Sequence, residues 1–268
     1  MANTRSNPSS NSCLNQQEKN SVMPIQIRQL GFVVIILLLS NSLLPLAHAQ
    51  LLQQGFESTY EVYHNSIYLG DTVRKLSRQK NGHWQYQSST RAKGIIGAFI
   101  KDVIEEQSVL SITPNGVKPF SYRYDQTGGK DEKHIYLDYK WAKNSLFNSH
   151  LNEDLELLPG TQDLLSFVLQ IMVELQSNKQ SIEMPIADKD SIERYTLKVI
   201  GKETIETPFK SLPTIVLLSN KINGKRQFKF WCAPSLQYLP IVIKKIENDG
   251  DEDTLSLSEF KLPASQTK

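Results

Sequence analysis

Four histidines, His64, His83, His134 and His150, lie where a folded domain is expected, and none stands at metal-ligand spacing from another. Cys232 is the only cysteine in that region, so a zinc site would have to be assembled wholly by tertiary folding, and no metal or other cofactor is expected. Two adjacent carboxylate pairs, Glu105-Glu106 and Glu153-Asp154, carry the right groups for glycoside hydrolysis. Neighbours on a strand point to opposite faces, however, which keeps either pair from working on one substrate. A nucleophilic thiol needs a positioned base; Cys232, next to Trp231 at a strand end, reads as a packing residue. The turn Asn248-Asp249-Gly250-Asp251 lacks the remaining ligands and the distal Glu of a calcium loop. No Gly-x-Ser-x-Gly elbow, glycine-rich phosphate loop or Ser-x-x-Lys set occurs. No catalytic residue is assigned, and the expectation is a protein that is not an enzyme.

Binding of an apolar molecule is the chemistry left. Between Lys93 and Ile100, Ile95, Ile96 and Phe99 cluster around Gly94 and Gly97 without strand alternation or helix caps. Such a stretch is either a buried connection or an apolar flap over a ligand site. Trp84, Trp141 and Trp231 each fit an alternating strand, where an aromatic is first of all core. The candidate ligand contacts are Ile95, Ile96, Phe99, Trp141 and Met172, and the candidate ligand is a lipid or acyl chain.

The elements that would hold these residues are mostly strands. Ile135, Leu137, Tyr139 and Trp141 alternate with His134, Tyr136, Asp138 and Lys140, as in an antiparallel sheet with one buried and one wet face. Asn65-Ser66, Asn81-Gly82, Pro114-Asn115-Gly116, Gly128-Gly129 and Asn223-Gly224 supply turns between such runs. One segment departs from this rhythm. After Pro159-Gly160, with Thr161 to cap and Asp163 to favour the helix start, apolar residues fill nearly every position from Leu164 to Leu175. Ser166, Gln170 and Glu174 leave only a narrow polar stripe. A helix over 161–178, on the order of 27 Å long, is therefore expected to be surrounded. The fold expected is mainly β: a strongly curved antiparallel sheet, a half-barrel, wrapped around one long apolar helix.

The stretch Met23–Gln50 bears on compartment. Arg28 precedes the apolar run Leu30–Leu39, and Ala47-His48-Ala49 forms a small-x-small site, the three parts of a secretory signal. The apolar core is short for a membrane span, which takes roughly 20 residues. The expected organisation is an extension or mis-assigned start over 1–22, a signal peptide over 23–49, and a single β-rich domain over 50–268. Cleavage near Ala49 would leave a soluble periplasmic product. Three of the 30 basic residues and one of the 28 acidic residues fall before Gln50, so the remainder holds 27 of each. It shows no basic block of the kind that binds nucleic acid. A protein partner in the envelope is the second expectation.

Three stretches resemble the bacterial domain of unknown function 3108 family: Gln162-Asp163-Leu164-Leu165-Ser166, Ala92-Lys93-Gly94, and Phe230-Trp231-Cys232-Ala233-Pro234 with Tyr238-Leu239-Pro240. The resemblance covers nearly all of the chain after the leader. It implies an exported protein and no assigned reaction. More distantly, the last stretch is similar to the lipoprotein-carrier half-barrels of the LolA/LolB type, in which a strand ends in an aromatic, turns through a Pro-containing loop and resumes at Leu-Pro. That resemblance implies a curled sheet enclosing helix and lipid, although no carrier-type arginine or partner-binding loop maps onto this sequence. A shared fold carries no activity with it.

Overall fold

The computed structural model of the chain describes residues 50–94, 97, 101–130, 132–220 and 226–263. A short helix, α1 (Gln50–Gln54), comes first and buries Leu51 and Leu52. Gly55 ends it at φ +84°, where a Cβ would sit 2.3 Å from the Leu76 carbonyl oxygen, so only glycine fits. An up-and-down run of eight strands follows. It consists of β1 (Phe56–His64), β2 (Ile67–Arg78), β3 (Trp84–Ala92), β4 (Val103–Thr113), β5 (Gly116–Thr127), β6 (Lys133–Lys140), β7 (Ser145–Asn148) and β8 (Glu153–Glu156). Asn65 and Ser66 both take positive φ, the form a two-residue hairpin needs, and join β1 to β2. The alternation expected on β6 is present, with Ile135, Leu137 and Tyr139 buried between wetter neighbours. Trp141 lies just beyond that strand, in a turn of 3-10 helix.

A second run, β9 (Ser181–Ala187), β10 (Ile192–Glu206), β11 (Ser211–Ser219), β12 (Arg226–Ala233), β13 (Leu239–Glu247) and β14 (Glu252–Lys261), returns to the first. Here β14 pairs with β1, so all fourteen strands form one antiparallel sheet with β8 at one edge and β9 at the other. The sheet is not closed. Its edges are guarded in different ways. β8 is four residues long and carries three acids, whereas β9 contains Pro185 and takes a parallel bridge from Gln162. The expected Asn223-Gly224 turn lies outside the described residues.

Between the edge strands runs α2 (Ser166–Gln176), which corrects the expected long helix. It has 11 residues, hence about 17 Å of length. Residues 161–163 are used otherwise. The Thr161 hydroxyl donates to the Leu158 carbonyl at 2.7 Å rather than capping the helix. Gln162 accepts from the Ala187 N–H at 2.8 Å and donates its own N–H to Pro185 at 2.9 Å, in strand fashion. The helix is nonetheless buried on most sides. Leu165, Leu169 and Met172 join a cluster built mainly from α1 and β1 to β7, and Phe167, Val168, Ile171 and Leu175 join one built from β9 to β13. It touches β5, β13 and β9. In the sheet order β5 and β9 are ten strand spacings apart, about 48 Å if the sheet were flat. A helix roughly 10 Å across can reach both only if the sheet bends around it.

Candidate functional site

Strand register places one inward-facing residue from each of five neighbouring strands in a row: Ser58 on β1, Arg74 on β2, Ser88 on β3, Glu106 on β4 and Tyr124 on β5. The row nearer α2 is Phe56, Leu76, Tyr86, Ser108, Tyr122 and Leu137, all buried. On the other side lie Tyr60, Thr72, Thr90, Ile104 and Gln126. Burial falls along these strands. Next to the helix the inward side chains are sealed, and on β1 and β2 the sealing continues through Tyr60 and Thr72, but Val62, Thr90, Ala92, Ile104, Glu106, Tyr124 and Gln126 are only half-buried. The hollow side of the sheet thus has a filled end and an open end, with a polar row between them.

Arg74 is the unusual member of that row. It is 8% exposed, and its Nε and Nη1 are buried without a hydrogen-bond partner. So are Tyr86 Oη and Ser58 Oγ on the flanking strands. The Tyr86 hydroxyl and the guanidinium are near enough to interact, as are Ser58 and the Tyr60 hydroxyl, without either pair forming a full hydrogen bond. The guanidinium carbon sits 5.6 Å from the Tyr60 ring centroid, a cation–π contact. Burial works against the charge on Arg74, and Tyr86, Tyr60 and Glu106 more than offset it, so the cation persists. Burial raises the Glu106 carboxyl above its ordinary range, while the Tyr122 hydroxyl, Arg74 and Ser88 pull it back. Tyr122 donates to Glu106 at 2.7 Å, and Ser88 and Thr72 share a hydrogen bond at 3.0 Å. Tyr60, beside the row, donates to the Pro240 carbonyl at 2.9 Å, which ties β1 to β13.

Below the row, Asp163 organises the helix start. Its Oδ1 accepts the N–H groups of Leu165 at 2.9 Å and Ser166 at 2.7 Å, and its Oδ2 accepts the Ser108 hydroxyl at 2.7 Å. Ser166 Oγ accepts the Asp163 N–H in return, the reciprocal pattern of a capping box. Gln162 donates to the carbonyls of Val117 and Gly160. The Gln162–Ser166 stretch is therefore a structural clasp from α2 to β4, β5 and β9. Burial raises the Asp163 carboxyl to about 6.

The candidate ligand contacts do not come together as one described surface. Ile95, Ile96 and Phe99 lie outside the described residues. Met172, on α2 itself, is fully buried, and Trp141 is half-buried, donating Nε1–H to the Pro119 carbonyl at 2.6 Å and stacking on Tyr139. Neither lines the cavity of about 500 Å³ that lies among Lys202, Glu203, Pro213, Thr214 and Tyr238. Glu105 and Glu106 do face opposite ways: Glu105 meets Arg91 outside at 3.0 Å, and Glu106 points inward. Cys232 is fully buried, and burial pushes its thiol up, away from nucleophilic use. Among the described residues no group of three His, Cys, Asp or Glu side chains could hold a metal ion. Sequence reasoning passed over Arg74. Its signal is the run Gly70-x-Thr72-x-Arg74-x-Leu76, in which a cation holds an inward position of an alternating strand.

A family model described as a protein of unknown function, DUF3108, matches residues 59–258. The chain belongs to the DUF3108 family. The match runs from β1 into β14 and so takes in nearly the whole sheet. Among solved structures, this DUF3108 chain is similar to a β-barrel-like protein of the domain of unknown function DUF1849 from Brucella abortus. The TM-score is 0.54 at 11% identity, over 79% of this chain and 98% of the other. The likeness shows a common fold. MucB also matches, at a TM-score of 0.35 and 10% identity over 81% of this chain and 56% of its own. No curated protein matches the chain.

Proposed function

We propose that this DUF3108 protein is an exported, non-enzymatic protein of the cell envelope that holds an apolar or amphiphilic molecule, a lipid or acyl chain, at the open end of a half-barrel. The observation that carries the reading is the burial gradient on the hollow side of the sheet. Val62, Ala92 and Ile104 face inward there but remain half-buried, and inward-facing apolar groups left uncovered mark a surface that something else covers. The helix seals the other end, so the hollow would open one way only. Export rests on the Arg28, Leu30–Leu39 and Ala47-His48-Ala49 pattern.

Native mass spectrometry of the protein purified from its own envelope tests the ligand. A co-purifying lipid, together with saturable binding of a fluorescent fatty acid after delipidation, is the expected result; an empty protein that binds no probe would end this reading. N-terminal sequencing of the secreted product should begin at or near Gln50, and a product retaining Leu30–Leu39 would remove the export step. A second reading, an adaptor whose core is already complete, is favoured by the total burial of Leu165, Leu169, Ile171 and Met172. It predicts a protein partner and no probe binding.

A further inference from the structure

Buried polar side chains in folded proteins nearly always find partners, because leaving a donor dry and unpaired is costly. Arg74 Nε and Nη1, Tyr86 Oη and Ser58 Oγ break that rule together, on three adjacent strands and in one patch of the hollow face. We infer that Arg74, flanked by Tyr86 and Ser58, is a built site for an oxyanion, the carboxylate or phosphate head of the molecule whose tail lies along the open end of the sheet. This inference rests on the ligand reading above and adds the chemistry of its polar end.

The donor set suits that chemistry. A guanidinium presents a planar fork that matches two oxygens of a carboxylate or phosphate, and two hydroxyls beside it can complete the shell. The cation lies over the Tyr60 ring, 5.6 Å from its centroid, which holds the fork in place. The charge balance also fits. Glu106 acts on Arg74 through space, while its Oε1 is taken by the Tyr122 hydroxyl, so the fork is not consumed by a carboxylate of the chain itself. Position fits too. On β3 and β4 the row of Arg74 divides the sealed apolar end from the half-buried Thr90, Ala92 and Ile104, while Tyr60 and Thr72 stay sealed on β1 and β2, so an anionic head at the row leaves its tail pointing outward along β3 and β4.

The test measures dodecanoate, dodecyl phosphate, dodecanol and inorganic phosphate by calorimetry on the full delipidated protein. The two anionic amphiphiles should bind at least about tenfold more tightly than dodecanol. In Arg74→Met that advantage should vanish, with dodecanol binding unchanged. Glu106→Gln, which keeps the Tyr122 bond and removes the opposing charge, should tighten both anions; it carries the test if Arg74→Met does not fold. Inorganic phosphate binding in the wild type and not in Arg74→Met, with no amphiphile bound, upholds the oxyanion site with a free anion as its source and ends the lipid reading alone. Equal binding of dodecanol and dodecanoate by the wild type, or discrimination that survives Arg74→Met, overturns the site while leaving an apolar ligand in place. No binding of any probe overturns both.

Discussion

Asp163 shows how one buried group can set the pH response of the molecule. Its carboxyl titrates near 6 in the fold, above the ordinary unfolded value of about 3.9. The folded state therefore holds its proton more firmly, and stability rises as pH falls from about 6 towards 4 and is lost as pH climbs back through that window. The gain is on the order of 3 kcal/mol at most, two pK units at 1.36 kcal/mol each. Asp125, Asp154 and Asp253 are lowered by their cationic partners and act in the opposite sense, losing stability at more acid pH. His64, raised by its bond to Asp253, favours the folded state in the same direction as Asp163. Urea unfolding of wild type and Asp163→Asn at about pH 7, 5 and 4 separates them. The wild type should gain relative to the variant on acidification, and parallel curves would refute the assignment. The sequence placed Asp163 at a helix start on local grounds. Its second partner, Ser108, lies 55 residues away, and nothing in local spacing announces it.

At the scale of the element, α2 is short, yet it connects two clusters that share few other residues. Leu169 is fully buried in the first. Leu169→Ala should cost about 2–5 kcal/mol, the usual range for such a truncation, read as a lower urea midpoint at unchanged slope. Leu169→Asp should not fold, since an unpaired charge there has no solvent. A soluble, cooperatively unfolding Leu169→Asp protein would show that α2 is dispensable. The apolar pattern of α2 was legible because it depends only on a 3.6-residue period. Its length was not, because residues 161–163 are drawn out by β5 and β9, partners remote in sequence. The strands were read for the same reason as the helix: β6 keeps its two-residue period unbroken from Ile135 to Tyr139. The row through Arg74 takes one residue from each of five strands, so it belongs to register, and register is set by pairing rather than by any one strand's pattern.

For the whole molecule, the order of strands matters more than their number. Local alternation foretold an antiparallel sheet, and turn residues foretold which neighbours pair. Neither could foretell that Tyr60 faces Leu257 across the β1–β14 pair, a match between the first and last of the described strands. Because of it, β14, the last of the described strands in sequence, lies in the interior of the sheet. A stop codon in place of Glu252, which removes all of β14 and the residues after it, should therefore behave like a deletion through the middle of the protein, leaving two separate sheets with fresh unpaired margins and an aggregating product. Removing the four-residue margin Glu153–Glu156 instead should leave a folded, less stable chain. Fluorescence unfolding and size-exclusion chromatography of the two truncations measure the difference. A sheet built this way makes its two runs of strands depend on one late splice, since no version lacking the ten residues of β14 can join them.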